Sequence, residues 1–367
     1  MVVKNIAVLA GDGIGPEITA EAVKVLKAVG DKYSHTFNLE YAPFGGEGYD
    51  KEGDPFPERT KEACDSADAI LKGPIGGPKY DKIQPPELRP ERGGLLPLRR
   101  RYDTFANLRI ARLPPELASF SPLRPEVIKN GIDILFVREL VGGIYFGRKE
   151  EGKDESGTER AIDVMEYTRP QVERIARVAF AEARKRKAKL HNLHKSNVLQ
   201  CSIFWNRIVD EINRKEYPDV AVEHMLIDNA AYTMEIKPSS FSVVLAENMM
   251  GDIITDQAAG AIGSLGLMPS ACMGPEKAYF EPAHGSAPAL AGTNTANPYA
   301  MIASAAMMLD KAFGLKAESE EVFNSLFRVF GTGHITAELT AEGRASGIQL
   351  STSAFGDMVA SGIEGVK

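Results

Sequence analysis

The sequence predicts an α/β protein in which helices cover both faces of a sheet, and three observations carry that expectation. Short apolar runs without polar alternation, such as Asn5–Ala10 (NIAVLA) and Ile132–Val137 (IDILFV), suit strands buried on both faces. Segments with apolar residues at helical spacing alternate with those runs, the clearest being Pro170–Lys187. At 367 residues the chain exceeds what one core usually sustains, so two domains bordering a cleft are expected.

Taken in order, the first apolar run leads into GDGIGPE, and Pro16 fits the first turn of a helix whose Ile18, Ala22, Val25, Leu26 and Val29 face inward. Gly30 is expected to cap it. The stretch Gly73–Arg101 is so rich in Pro, Gly and Arg that it reads as a long irregular loop, and such loops usually have a function. After the strand at Ile132–Val137, the glycine pair of RELVGGIYFG bends the chain, and Arg148–Gly157 (RKEEGKDESG) is an exposed arm or loop. The helix Pro170–Lys187 buries Val172, Ile175, Ala176, Ala179, Phe180 and Ala183. Further strands are expected at Ala221–Ile227 and Phe241–Ala246, with helices at Asn197–Asn213, Asp252–Ile262 and Pro298–Phe313. No internal repeat or low-complexity segment interrupts this pattern.

Composition narrows the class. Hydrophobic residues make up 44% and charged residues 25%, the profile of a soluble globular protein. Forty-three Lys and Arg against 50 Asp and Glu give a net charge of −7, the wrong sign for binding nucleic acid. Cys64, Cys201 and Cys272 are odd in number and far apart, so neither a disulfide framework nor a thiolate zinc site fits, and a reducing, cytoplasmic location follows. No stretch approaches the ~20 apolar residues of a membrane span.

Several constellations suggest chemistry. Asp252 and Asp256 (GDIITD) lie four apart at the start of a predicted helix, so both carboxylates share one face and suit Mg²⁺ or Mn²⁺; the plainer alternative is two acids favoured by the helix dipole. Asp228, at the end of a predicted strand, could add a third carboxylate. Arg99, Arg100, Arg101, Arg109 and Arg138 offer guanidinium forks for carboxylates, and beside acidic metal ligands they point to a hydroxy-dicarboxylate. Tyr145 and Lys195 are the acid and base candidates, against the alternatives of a core tyrosine and a surface lysine. Gly11, Gly13 and Gly15 fall as G-x-G-x-G, which matches neither the dinucleotide fingerprint nor a Walker loop. Glu281–Pro298 (EPAHGSAPALAGTNTANP) is a second glycine-rich candidate, with backbone N–H groups and one histidine to offer a cofactor.

Together GDGIGPE, LLPLR, FANLR, RELVGGIYFG, the Lys-x-Asn-Val run at Lys195, LIDNAAY, GDIITD and EPAHGSAP resemble, in order and over nearly the whole chain, the metal-dependent β-decarboxylating dehydrogenases of isocitrate and isopropylmalate. The resemblance implies a two-domain fold around a large mixed sheet, distinct from the Rossmann fold, with residues 1–104 and 264–367 forming a discontinuous cofactor-binding domain. Residues 105–263 would form the second domain, for dimerisation, metal and substrate, with an arm near 142–168. It further implies a homodimer with shared active sites and the NAD-dependent oxidative decarboxylation of 3-isopropylmalate to 4-methyl-2-oxopentanoate in leucine biosynthesis.

By matching motif, Arg99, Arg109 and Arg138 would hold the substrate carboxylates, with Leu95 and Leu96 against its isopropyl group. Asp252 and Asp256, with Asp228 of the second subunit, would hold Mg²⁺ or Mn²⁺, Asp228 also bordering the substrate. Lys195, also of the second subunit, would take the hydroxyl proton, and Tyr145 would protonate C3. Ile14, Glu281, His284, Gly285, Ser286, Ala287 and Asn297 would bind NAD. Two positions depart from the pattern: Ala289 and Leu290 stand where NAD-using members usually carry an acid, and His194 stands where Asp commonly precedes the lysine. No basic residue replaces the acid, so NAD is expected over NADP. A related dehydrogenase for isocitrate, homoisocitrate or tartrate/malate is the alternative within the class. Outside it stand a magnesium-dependent phosphotransferase, disfavoured by the absent Walker lysine, and a binding protein that has lost catalysis.

Overall fold

A computed structural model describes residues 1–340 and 346–365. Twelve strands organise the site: β1 (Val3–Leu9), β2 (Thr36–Tyr41), β3 (Ala69–Lys72), β4 (Ala106–Leu113), β5 (Ile132–Glu139), β6 (Lys149–Lys153), β7 (Glu159–Asp163), β8 (Leu190–His194), β9 (Val222–Leu226), β10 (Val243–Ala246), β11 (Pro269–Met273) and β12 (Ala278–Pro282). Ten of them form one sheet in the order β2-β1-β3-β12-β11-β4-β5-β10-β8-β9. The outer strands on each side pair in parallel, whereas β12–β11, β11–β4 and β4–β5 are antiparallel, so the sheet is mixed as expected. β6 and β7 make a separate exposed hairpin, the arm anticipated at residues 148–157.

Both sheet faces are covered because neither can be left to water. Ile6, Val8, Ala69 and Leu71 enter one apolar cluster, and the intervening Ala7, Leu9 and Ile70 enter another. Alternate side chains of a strand point to opposite faces, so two clusters on one strand mean two covering layers. The cysteines are free, and among the described residues no helix is long and apolar enough to cross a membrane.

Several expected boundaries move. The first helix runs Gly15–Tyr33 and ends on a left-handed Ser34; Gly30 lies inside it, where a Cβ would sit 3.0 Å from the His35 carbonyl oxygen. Close approach, not capping, explains that glycine. Gly73–Arg101 is less irregular than its composition suggests, since Pro90–Leu95 forms a π-helical turn that continues into a short α-helix, Leu96–Arg101. The Pro residues sit at first turns there, where they cost no hydrogen bond. The helix expected from Asp252 begins at Asn248, so Asp252 and Asp256 occupy its second and third turns and are not dipole decorations at its start. Asp228 is the second residue of the helix Ile227–Ile236 and not the end of a strand.

Candidate active site

A cavity of about 470 Å³ opens where the sheet changes direction. Lys72 ends β3 and Glu281 lies near the end of β12, one step beyond the Phe280–Leu71 pair; across the antiparallel centre Ser270 registers with both Glu281 and Arg109. Lys72, Glu281 and Arg109 therefore share one row of one sheet face, although up to 209 residues separate Lys72 from Glu281. Arg99 comes from the short helix after the proline-rich stretch, together with Leu95 and Leu96, and all three line the cavity. Arg138, Tyr145 and Asp252 complete the far wall.

The arginines are held by specific acceptors. Arg109 donates through Nε to Asn107 Oδ1 (3.0 Å) and through Nη1 to Thr255 Oγ1 (2.7 Å), and its terminal groups lie 3.5 Å from Asp252 and 3.2 Å from Asp256. Arg138 donates to Asn248 Oδ1 (2.8 Å from Nη2) and to Asp252 Oδ1. Gly251 gives it passage, because a Cβ there would lie 2.6 Å from Arg138 Cγ. Burial and the neighbouring Arg109 push the Arg138 guanidinium down to about 10, which leaves it charged at neutral pH. Burial alone would raise the Asp252 carboxyl, but Arg138 and then Arg109 outweigh it and hold the group below its ordinary value. Tyr145 donates to Asp252 Oδ2 (3.1 Å), and burial followed by that carboxylate raises its phenol above the usual range. The result is a cationic pocket with an ionised acid and a protonated phenol at one end.

A second cavity, of about 250 Å³, adjoins it and is lined by Ile14, His284, Gly285, Ala287, Leu290 and Asn297 among others. Ser286 is buried behind it, donating to Gly76 O (2.7 Å), while its own carbonyl accepts from Ile14 N (2.8 Å). His284 Nε2 is buried without a hydrogen-bond partner among the described residues, and burial lowers the ring below its ordinary value. That nitrogen is open to a hydrogen bond from water or a ligand in the cavity. Asp12 ties the loops together: its carboxylate accepts from Gly46 N (2.8 Å), Glu47 N (2.8 Å) and Gly76 N (2.7 Å).

Lys195 and Asp228 are brought to each other, 2.7 Å apart, but not to either cavity within this chain. His194 is buried beside them, its ring lowered by burial and by His224, and its Nδ1 accepts from Ser196 N (3.2 Å). Arg100 and Arg101 stay outside, one over the Phe146 ring and the other paired with Asp65. Among the described residues, no group of three or more His, Cys, Asp or Glu side chains could hold a metal. The sequence reading missed Lys72, Glu91 and Asp12. Lys72 had a signal, a charge ending the otherwise apolar AIL run, whereas nothing local distinguishes Glu91 from the charges around it.

Residues 5–359 match the profile of isocitrate/isopropylmalate dehydrogenases. The chain belongs to that family. It is 47% identical to the 3-isopropylmalate dehydrogenase of Vibrio cholerae serotype O1 over 358 residues, 97% of each chain. It is 48% identical to that of Geobacillus kaustophilus over 342 residues, 92% of this chain and 91% of the relative. Among solved structures, isocitrate dehydrogenase from Methylococcus capsulatus superposes with a TM-score of 0.85 at 30% identity, covering 99% of this chain and 100% of that one. A β-decarboxylating dehydrogenase from Thermococcus kodakarensis gives 0.78 at 34% identity, covering 98% and 96%. As an isocitrate/isopropylmalate dehydrogenase, the protein is an enzyme of the dehydrogenase class with a mixed sheet, as the motif order implied. Membership gives the cationic cavity a setting, since dehydrogenases of this family are named for hydroxy acids with several carboxylates.

Proposed function

We propose that the protein oxidises and decarboxylates 3-isopropylmalate to 4-methyl-2-oxopentanoate and CO₂ with NAD⁺, in leucine biosynthesis in the cytoplasm. The observation that carries this reading is the placement of Leu95 and Leu96 in one cavity with Arg99, Arg109 and Arg138. Three guanidinium groups match two carboxylates, and an apolar pair favours a branched alkyl substituent over a third carboxylate. Relatives named 3-isopropylmalate dehydrogenase at 45–48% identity support the same choice over isocitrate, homoisocitrate or tartrate/malate.

The donor set fits a hard dication: Asp252 and Asp256 present oxygen ligands from adjacent turns, and Asp252 is held ionised. Asp228 of a second copy would add the third carboxylate, and the bound Mg²⁺ or Mn²⁺ would stabilise negative charge developing on the substrate. Arg99, Arg109 and Arg138 orient the dicarboxylate. Lys195 of the second copy would accept the C2 hydroxyl proton and Tyr145 would deliver its phenolic proton to C3 after CO₂ departs, with NAD⁺ supplying the hydride acceptor. Exposed Val198 and Ile203 follow Lys195 in the chain, Tyr232 and Ile236 share the helix that carries Asp228, and Ile253 adjoins Asp252, exposed apolar side chains of the kind a second copy of this chain would cover.

The second cavity suits the adenosine half of NAD. His284 Nε2 and Asn297 offer polar contacts, and the Glu338 carboxylate in the same lining disfavours an extra phosphate. Initial rates with 3-isopropylmalate test the whole reading. NAD⁺ should exceed NADP⁺ in kcat/KM by about tenfold or more, with activity lost to a chelator and restored by Mn²⁺. Faster turnover of isocitrate or malate would defeat the substrate assignment.

A further inference from the structure

Lys72 is the most deeply buried charge in the substrate cavity with no part in the chemistry above, being 1% exposed. Its Nζ lies 2.6 Å from Glu281 Oε2 and donates to Gly73 O (2.9 Å). The other carboxylate oxygen of Glu281, Oε1, is 4.0 Å from Arg99 Nη2, the nearest ion-pair contact of Arg99 among the described residues. Arg99 otherwise donates through Nε to Tyr279 OH (3.0 Å). One buried carboxylate thus stands between two cations and is drawn to the lysine.

That asymmetry matters for binding. A carboxylate and a guanidinium form a bidentate pair with strong mutual preference, and in a desolvated site a protein acid on Arg99 would compete with the substrate's own carboxylate. Six cationic and three acidic side chains line the cavity, so it is built to hold surplus positive charge for an anionic guest. Without Lys72, Glu281 would keep Arg99 as its only cation within 4.0 Å among the described residues.

We propose that Lys72 is a positioning residue for substrate binding: by engaging Glu281 it keeps the Arg99 guanidinium available to a carboxylate of 3-isopropylmalate. The inference rests on the function proposed above. Kinetics of the intact enzyme test it, beginning with the wild type. In Lys72→Met, KM for 3-isopropylmalate should rise roughly tenfold or more, with kcat and the KM for NAD⁺ each changing less than about threefold. Lys72→Arg, which keeps the charge, should stay near the wild type. Lys72→Met/Glu281→Gln, which removes the competitor with the lysine, should bring KM for 3-isopropylmalate, read at saturating NAD⁺, back to within about threefold of wild type, whatever the change in KM for NAD⁺. An unchanged KM in Lys72→Met, or a KM that stays high in the double variant, overturns the proposal. If Lys72→Met does not fold, the double variant alone decides, because it leaves no buried carboxylate without its lysine. A wild type that fails to turn over 3-isopropylmalate sinks the functional reading and this one with it, whereas an active wild type beside an indifferent Lys72→Met sinks this one alone.

Discussion

Tyr145 is set apart from an ordinary core tyrosine by what it touches. Its hydroxyl donates to Asp252, and burial with that carboxylate keeps the phenol protonated at neutral pH, the state a proton donor needs. Tyr145→Phe removes the donor and little volume, so protonation of C3 after CO₂ loss should slow by about 10²-fold while the oxidation step falls far less. The check is a transient in NADH formation that outruns the appearance of 4-methyl-2-oxopentanoate; equal slowing of both would contradict the assignment. Nothing in GGIYFG alone distinguishes this tyrosine from a packed one, because the deciding contact lies 107 residues away on the helix Asn248–Ile262.

At the scale of elements, the end of β5 carries both a substrate-facing cation and a buried acid. Arg138 points to the cavity, while Glu139 accepts from Val141 N (3.1 Å) and Gly142 N (2.8 Å) on the other side of the bend. Burial outweighs those donors and pushes the Glu139 carboxyl up to about 7 from an ordinary 4.5. The folded state therefore holds this proton more tightly than the unfolded chain between those two values, and stability falls as pH rises through that window. Wild type should lose on the order of 3 kcal/mol more than Glu139→Gln between pH 5 and pH 8, read from denaturant midpoints. Parallel profiles would show that Glu139 titrates as an ordinary surface acid. The helix that supplies Asp252 illustrates why element boundaries escaped the sequence: its cap is Glu247, whose carboxylate accepts from Met249 N and Met250 N, and glutamate is not among the usual capping residues.

For the whole molecule, the separation of Lys195 and Asp228 from the cavity is the informative fact. If each active site takes Tyr145 from one chain and Lys195 from another, two inactive variants can repair each other. Tyr145→Phe and Lys195→Ala, unfolded and refolded together, should regain about a quarter of wild-type activity, since half the dimers are mixed and each has one intact site of two. Mixtures no more active than their parts would mean that both groups serve the same chain's site, or that no shared site forms. Light scattering on the mixture confirms the assembly in the same sample.

The order of motifs determined the family and the mixed α/β fold and singled out Arg99, Arg109, Arg138 and Asp252 but not Lys72, because apolar periodicity and turn chemistry are local and survive reading along the chain. Gly73–Arg101 shows the limit of that reading: its composition suggested a loop, while packing wound it into turns that carry Leu95, Leu96 and Arg99 to the cavity. Which charges meet was decided by tertiary structure alone. Lys72, Glu281 and Arg109 become neighbours only when strands far apart in sequence take adjacent places in the sheet, and electrostatic energy depends on distance through space, to which position along the chain is blind.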